Sequence, residues 1–204
     1  MIKITMKDGS VREVEKGTRC SELVKQISNS LAKRALSVKV NGKVHGLTFP
    51  LNEDAAVEFL TFDDDEGRRT LRHTASHILA QAIKRLYKDQ HVQLAIGPAI
   101  ENGFYYDIDM DRQLTEADLA DIEKEMKKIV KENLTLERKV ASREEALKFF
   151  KEKGEGYKVE LINDLPEDAV ISMFTQGEFT DLCAGPHVLS TGKIKELKLQ
   201  SIAG

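Results

Sequence analysis

Apolar residues follow two different rhythms along this chain, and the change of rhythm divides it. Ile2, Ile4 and Met6 alternate with polar residues, Asp8-Gly9 supplies a hairpin turn, and Val11 and Val14 continue on a return strand. Leu23, Val24, Ile27 and Leu31 then fall on one helical face, with Thr18 or Ser21 as the cap. Val38 and Val40 alternate before an Asn41-Gly42 turn, and Asp54 leads into a last strand through Val57, Phe59 and Leu60. Hairpin, helix and further strands within residues 1–62 predict a small α+β unit in the order of the ubiquitin-like β-grasp.

Asp63-Asp64-Asp65-Glu66-Gly67 follows with no apolar residue, and reads as a linker or a helix start. Beyond it Leu71, Ala75, Ile78, Leu79, Ala82, Ile83 and Leu86 recur every three or four residues and predict a long helix with one core-facing stripe. Apolar segments Val92–Ile100 and Phe104–Met110 flank Asn102-Gly103, a strong hairpin signal. Thr115 opens an acid-led helix with Leu119, Ile122, Met126, Ile129 and Val130 inward. Ser142 and Glu145 form a capping box for another helix, stopped by Gly154. Segments 157–162 and 169–175 read as strands, and a turn follows at Gln176-Gly177. The whole chain is therefore α+β, divided as 1–62 and 63–204.

At 204 residues and 41% hydrophobic, such a chain can bury two modest cores. No run of about 18 apolar residues occurs, so no transmembrane helix is expected. Its two cysteines, Cys20 and Cys183, fall in separate units, which suits a reducing cytoplasm. The net charge of −3 divides into +3 for residues 1–62 and −6 for the remainder. Neither part can grip nucleic acid by bulk charge, so any RNA contact must be local, at patches such as Lys33-Arg34, Arg68-Arg69-Arg72 or Lys84-Arg85.

The candidate chemistry is concentrated in two short motifs. His73 and His77 stand one helical turn apart, and Cys183 and His187 repeat that spacing about a hundred residues later. At ~100° per residue the two imidazoles project away from the apolar stripe, onto a face that does not pack into the helix's own core. Gly185-Pro186 forces an irregular backbone between Cys183 and His187. Two readings follow: a solvated polar face, or an HxxxH…CxxxH set converging on a metal ion or a reacting centre. Two His, one Cys and a further His make a complete tetrahedral set for Zn²⁺.

The segments RHTASH at 72–77, AIGPAIENGFYYDID at 95–109, GYKVELI at 156–162 and DLCAGPH at 181–187 together resemble the amino-terminal part of bacterial threonyl-tRNA synthetases. Residues 1–62 resemble their TGS domain, and 63–204 resemble the editing domain shared with alanyl-tRNA synthetases, cut just before its end. One departure is Ala184, at a position often basic in the family. Another is that the ATP-binding aminoacylation core, with its own zinc, has no counterpart here, so the chain is not expected to activate threonine.

The resemblance implies hydrolytic proofreading of seryl-tRNA(Thr) by a cytoplasmic enzyme whose partner is the serine-charged tRNA 3′ end, with no membrane or DNA partner and a homodimeric parent. It places His73, His77, Tyr106, Lys158, Asp181, Cys183 and His187 around the site. His73 would orient the ribose or accept a proton from water, Lys158 would stabilise the oxyanion, Asp181 would receive the α-ammonium, and Tyr106 would wall off the extra methyl of threonine. His77, Cys183 and His187 would shape the pocket. Editing is expected to need no cofactor, although zinc could bind His73, His77, Cys183 and His187. Taken singly, Lys158 would face water on its strand, Tyr106 would pack in a sheet, and Asp181 would serve a turn. A zinc-dependent hydrolase unrelated to tRNA, and a non-enzymatic tRNA-binding module, remain open as alternatives.

Overall fold

A computed structural model describes residues 1–203, which form two compact units. One contains Met1–Arg72 and Gly185–Leu189, and the other contains His73–Ala184 with the residues from Ser190 onward.

In the first unit β1 (Ile2–Met6) and β2 (Val11–Val14) form the expected hairpin, and α1 (Cys20–Ile27) and α2 (Asn29–Arg34) follow. β3 (Ser37–Val40), β4 (Lys43–His45) and β5 (Ala55–Leu60) complete a sheet in the order β2-β1-β5-β3-β4. Only β1 and β5 are parallel, and Asn41-Gly42 turns the chain between β3 and β4. Cys20, Leu23 and Val24 of α1 bury against Ile2, Ile4, Val38 and Phe59. This is the β-grasp order anticipated from the hydrophobic pattern.

Two details differ. The residue before α1 is Arg19, because the Glu22 carboxylate accepts from Arg19 N–H (2.9 Å) while the Thr18 hydroxyl donates back to Glu15 (2.7 Å). The single helical face from Leu23 to Leu31 is broken at Ser28, whose extended backbone ends α1 and whose hydroxyl accepts from Leu31 N–H (3.2 Å) to start α2. The segment 185–189 belongs to this unit, with Leu189 packed on its core.

The acidic run proves to be a helix start: Asp64 accepts from Thr61 N–H (2.7 Å), and α3 runs from Asp65 to Leu86. In the second unit β6 (Val92–Leu94) pairs with β9 (Ile108–Met110), and inside that loop β7 (Ala99–Ile100) pairs with β8 (Gly103–Phe104). α4 (Glu116–Glu132) starts at Thr115, with Asp118 completing its capping box. β10 (Glu137–Ala141), a strand the pattern does not announce, is followed by α5 (Arg143–Glu152), α6 (Gly156–Asp164), β11 (Ile171–Gln176) and β12 (Phe179–Leu182). The sheet order is β10-β11-β12, antiparallel throughout. Ile171, Met173 and Leu182 pack with Ala146 and Phe150 of α5 and Ile162 of α6.

Segment 157–162 is thus helical and not a strand. Lys158 and Ile162 are its buried pair, four residues apart, which is a helical interval. A period-two pattern emerges there only if Lys158 is taken to face water.

Candidate active site

Strand β12 fixes the first half of the site. Alternation places Phe179 and Asp181 on one face, and Cys183 continues that phase just beyond the strand. Two bonds hold Cys183 to β11: its N–H donates to Ser172 O (3.0 Å), and its carbonyl accepts from the Ser172 hydroxyl (2.7 Å). α3 supplies the other half. Cys183 Sγ lies 3.3 Å from His73 Nε2, the His73 and His77 rings meet edge to face at 5.2 Å, and His77 meets Phe179 in the same way at 6.2 Å.

The histidine face is not the solvated face that periodicity suggests. His77 is 3% exposed, and Thr74, Ser76, Ala80 and Gln81 are buried with it, whereas Leu79 of the apolar stripe is only partly buried. α3 is enclosed on both sides through this stretch, and its second side is closed by hydrogen-bonding groups that a hydrophobic period cannot register. The Ser76 hydroxyl, for example, donates to Gly97 O (2.6 Å).

Beside His77 lies a buried charged cluster. Lys158 Nζ is 2.7 Å from Asp181 Oδ1, 2.9 Å from the Tyr106 hydroxyl and 2.7 Å from Ala95 O. The Tyr106 hydroxyl donates to Asp181 Oδ2 (2.5 Å), and His77 Nε2 approaches the same oxygen at 3.6 Å. Lys158 and Asp181 are 3% and 2% exposed, so neither is the surface group that its residue type suggests. All three ammonium hydrogens of Lys158 have acceptors. Asp181 keeps lone-pair capacity beyond the two bonds it receives.

The electrostatics follow from burial. Burial pushes the His77 imidazole down to about 3, with Asp181 opposing and His73 and Lys158 adding to the fall, so His77 is neutral near pH 7. Burial alone would raise the Asp181 carboxyl, but His77 and Lys158 beside it, with the hydrogen bonds that Lys158 and Tyr106 donate, outweigh burial and keep it below the usual carboxylate range. The Tyr106 phenol is raised, first by burial and then by Asp181, and stays protonated.

His73, His77, Tyr106, Lys158, Asp181 and Cys183 therefore come together within the second unit. His187 is buried on the 185–189 segment of the first unit, four residues along the chain from Cys183, and the Gly185–Pro186 peptide between them is cis. Ala184 is exposed. Gly97 is a residue the sequence reading passed over. A Cβ there would stand 2.2 Å from Tyr106 Cδ2, so the ring lies flat against a backbone that only glycine leaves open.

His73, His77, Cys183 and His187 each offer one donor atom of the kind that Zn²⁺ takes. The 3.3 Å between Cys183 Sγ and His73 Nε2 is close to the spacing that sulfur and nitrogen ligands take about one Zn²⁺. This donor set fits the ion.

The family model of the TGS domain matches residues 2–61, and that of the threonyl and alanyl tRNA synthetase second additional domain matches residues 171–204. The chain carries both domains. Over all 204 residues it is 59% identical to a threonine--tRNA ligase of Desulforamulus reducens, 60% to that of Clostridium novyi and 58% to that of Acetivibrio thermocellus. It resembles the N-terminal region of these ligases and spans 32% of their length. Asp181, Cys183 and His187 fall inside the matched second additional domain, and His73, His77, Tyr106 and Lys158 fall between the two matched stretches. Among the described residues no helix is long and apolar enough to cross a membrane.

Proposed function

We propose that this chain hydrolyses the ester of serine mischarged onto tRNA(Thr), proofreading on behalf of a cytoplasmic, homodimeric threonine–tRNA ligase. The observation that carries this reading is the buried Lys158–Asp181–Tyr106 cluster set beside the His73–Cys183 contact. Buried charges cost stability unless paired, and clusters of such groups concentrate at functional sites. The need for a second site is physical: serine lacks one methyl of threonine, and a missing methyl changes binding by only about 1–3 kcal/mol.

In the reaction, water adds to the seryl carbonyl and the bond to the terminal ribose oxygen breaks. His73, the more accessible of the two helix imidazoles, takes the proton from the attacking water and returns it to the departing ribose oxygen, releasing serine and a free tRNA 3′ end. His77 remains neutral and orients His73. Asp181 receives the α-ammonium on its remaining lone pairs. Tyr106, locked between Asp181 and Gly97, forms the wall that the extra methyl of threonine meets. Lys158 already donates to three acceptors, so it stabilises the oxyanion through its field unless the Ala95 carbonyl gives up its bond.

A Zn²⁺ ion held by His73, His77 and Cys183 would supply an acidified water. The reading we favour needs no metal, because Lys158 already holds a fixed positive charge beside the site. Metal analysis of untagged protein should give well under one zinc per chain, with hydrolysis unaffected by chelator. One tightly held zinc, lost together with activity in Cys183→Ser, would favour the metal-dependent reading instead. Hydrolysis of seryl-tRNA(Thr) by the wild-type chain but not by a folded His73→Ala variant tests the proposal. A chain that binds this tRNA and releases no serine would be a binding module.

A further inference from the structure

Lys84 and Glu155 have no part in the chemistry above, yet they meet in a largely enclosed ion pair, with side chains 30% and 11% exposed. Lys84 follows His77 by two turns on α3, and Glu155 precedes α6 three residues before Lys158. Lys84 Nζ pairs with one oxygen of Glu155 and also donates to Val92 O. The other oxygen of Glu155 accepts from Leu94 N–H (3.3 Å), and Gln93 Oε1 accepts from Gly156 N–H (3.1 Å). The start of α6 is thereby tied directly to Gln93 and Leu94 of β6, and through Lys84 to Val92. Lys158, one turn further on, donates to Ala95 O, the residue just beyond β6.

We infer that the Lys84–Glu155 pair is a positioning device, which sets the depth of α6 so that Lys158 reaches Asp181 and Tyr106. Glu155 stands at the positive end of the α6 dipole, where a carboxylate is favoured, but a carboxylate this enclosed is retained only with a cation against it. Lys84 provides that cation from the helix that carries His73 and His77. Without it Glu155 turns towards water, drawing the first turn of α6 off β6 and Lys158 out of its cluster. The structural part stands by itself, and only its kinetic consequence rests on the hydrolytic reading.

The test uses the 204-residue chain with Lys84→Met, Glu155→Gln and Lys84→Arg. Acetylation by an N-hydroxysuccinimide ester, read by mass spectrometry, reports the accessibility of Lys158 without reference to activity. Lys127, with its side chain 54% exposed, serves as the internal reference. Lys158 should be protected in the wild type, acetylated about tenfold faster or more in Lys84→Met and Glu155→Gln, and protected again in Lys84→Arg. Lys158 equally protected in folded Lys84→Met would overturn the inference. Should Glu155→Gln fail to fold, the more exposed Lys84 position still decides.

In the kinetic arm, Lys84→Met should lower kcat for seryl-tRNA hydrolysis about tenfold with KM unchanged, and should cost nothing further in a Lys158→Met background. Losses that multiply would show that Lys84 does not act through Lys158. A wild-type chain without hydrolytic activity would sink the proposed function while leaving the acetylation arm to decide this inference.

Discussion

His73 and His77 are chemically identical and one turn apart, yet their surroundings divide their roles. His73 is partly accessible and touches Cys183, so truncating it opens little of the core. His73→Ala should lose deacylation by on the order of 10²-fold or more while costing under about 1 kcal/mol of stability. Urea denaturation beside single-turnover hydrolysis checks both, and wild-type hydrolysis by the folded variant would remove His73 from the mechanism. His77 should instead show itself in stability against pH. Its folded pKa of about 3 lies below the ordinary value of 6.5, so the unfolded chain binds more protons between these limits. Stability is therefore full above about pH 6.5 and declines as pH falls towards 3, and Asp181, also lowered, acts with the same sign at the acid end. Urea midpoints from pH 7 to pH 4.5 should fall for the wild type and fall less steeply for His77→Gln; parallel curves would refute the burial argument. The convergence of His73, His77 and Cys183 was legible in the sequence because spacing and rarity of residue type both mark it. The burial of Lys158 and Asp181 was not, because their residue type argues for water and only tertiary pairing reverses that.

At the scale of elements, hairpin turns and capping boxes carried the reading. Asn41-Gly42, Thr115 and Ser142 each sit where the local chemistry requires, whereas the turn between β7 and β8 falls on Glu101-Asn102, one residue before the Asn-Gly pair, and Gly103 opens β8. Helix α6 was misread for one reason, that its single buried cation was counted as outward-facing. β10 gave no signal because four of its five residues are exposed at a sheet edge. The loop from β6 to β9 is held to the site through Gly97, which spacing cannot reveal because the constraint comes from the Tyr106 ring. Gly97→Ala should push that ring aside, costing about 1–3 kcal/mol and reducing hydrolysis and serine selectivity together. Denaturation and paired seryl and threonyl assays measure this, and an unchanged Gly97→Ala variant would show that the ring has room to move.

At the scale of the whole molecule, the sequence divides the chain after Phe62, whereas compactness places residues up to Arg72, and the distant segment 185–189, with the first unit. The physical reason lies in Leu189, which packs on the β-grasp core, and in Gly46, where a Cβ would stand 3.3 Å from the His187 carbonyl. A fragment starting at residue 63 keeps α3 whole and both partners of each buried pair at the site. It should therefore fold, but with faster hydrogen exchange at 185–189 and slower hydrolysis than the full chain. Unchanged exchange at 185–189 would show that the segment needs no support from residues 1–62. The most direct test of the account is the rate at which the intact chain hydrolyses seryl-tRNA(Thr) and threonyl-tRNA(Thr), measured side by side at the same enzyme concentration. The account predicts release of serine some 10–200-fold faster than threonine, as one excluded methyl allows, and equal rates on the two esters, or none on either, would contradict it.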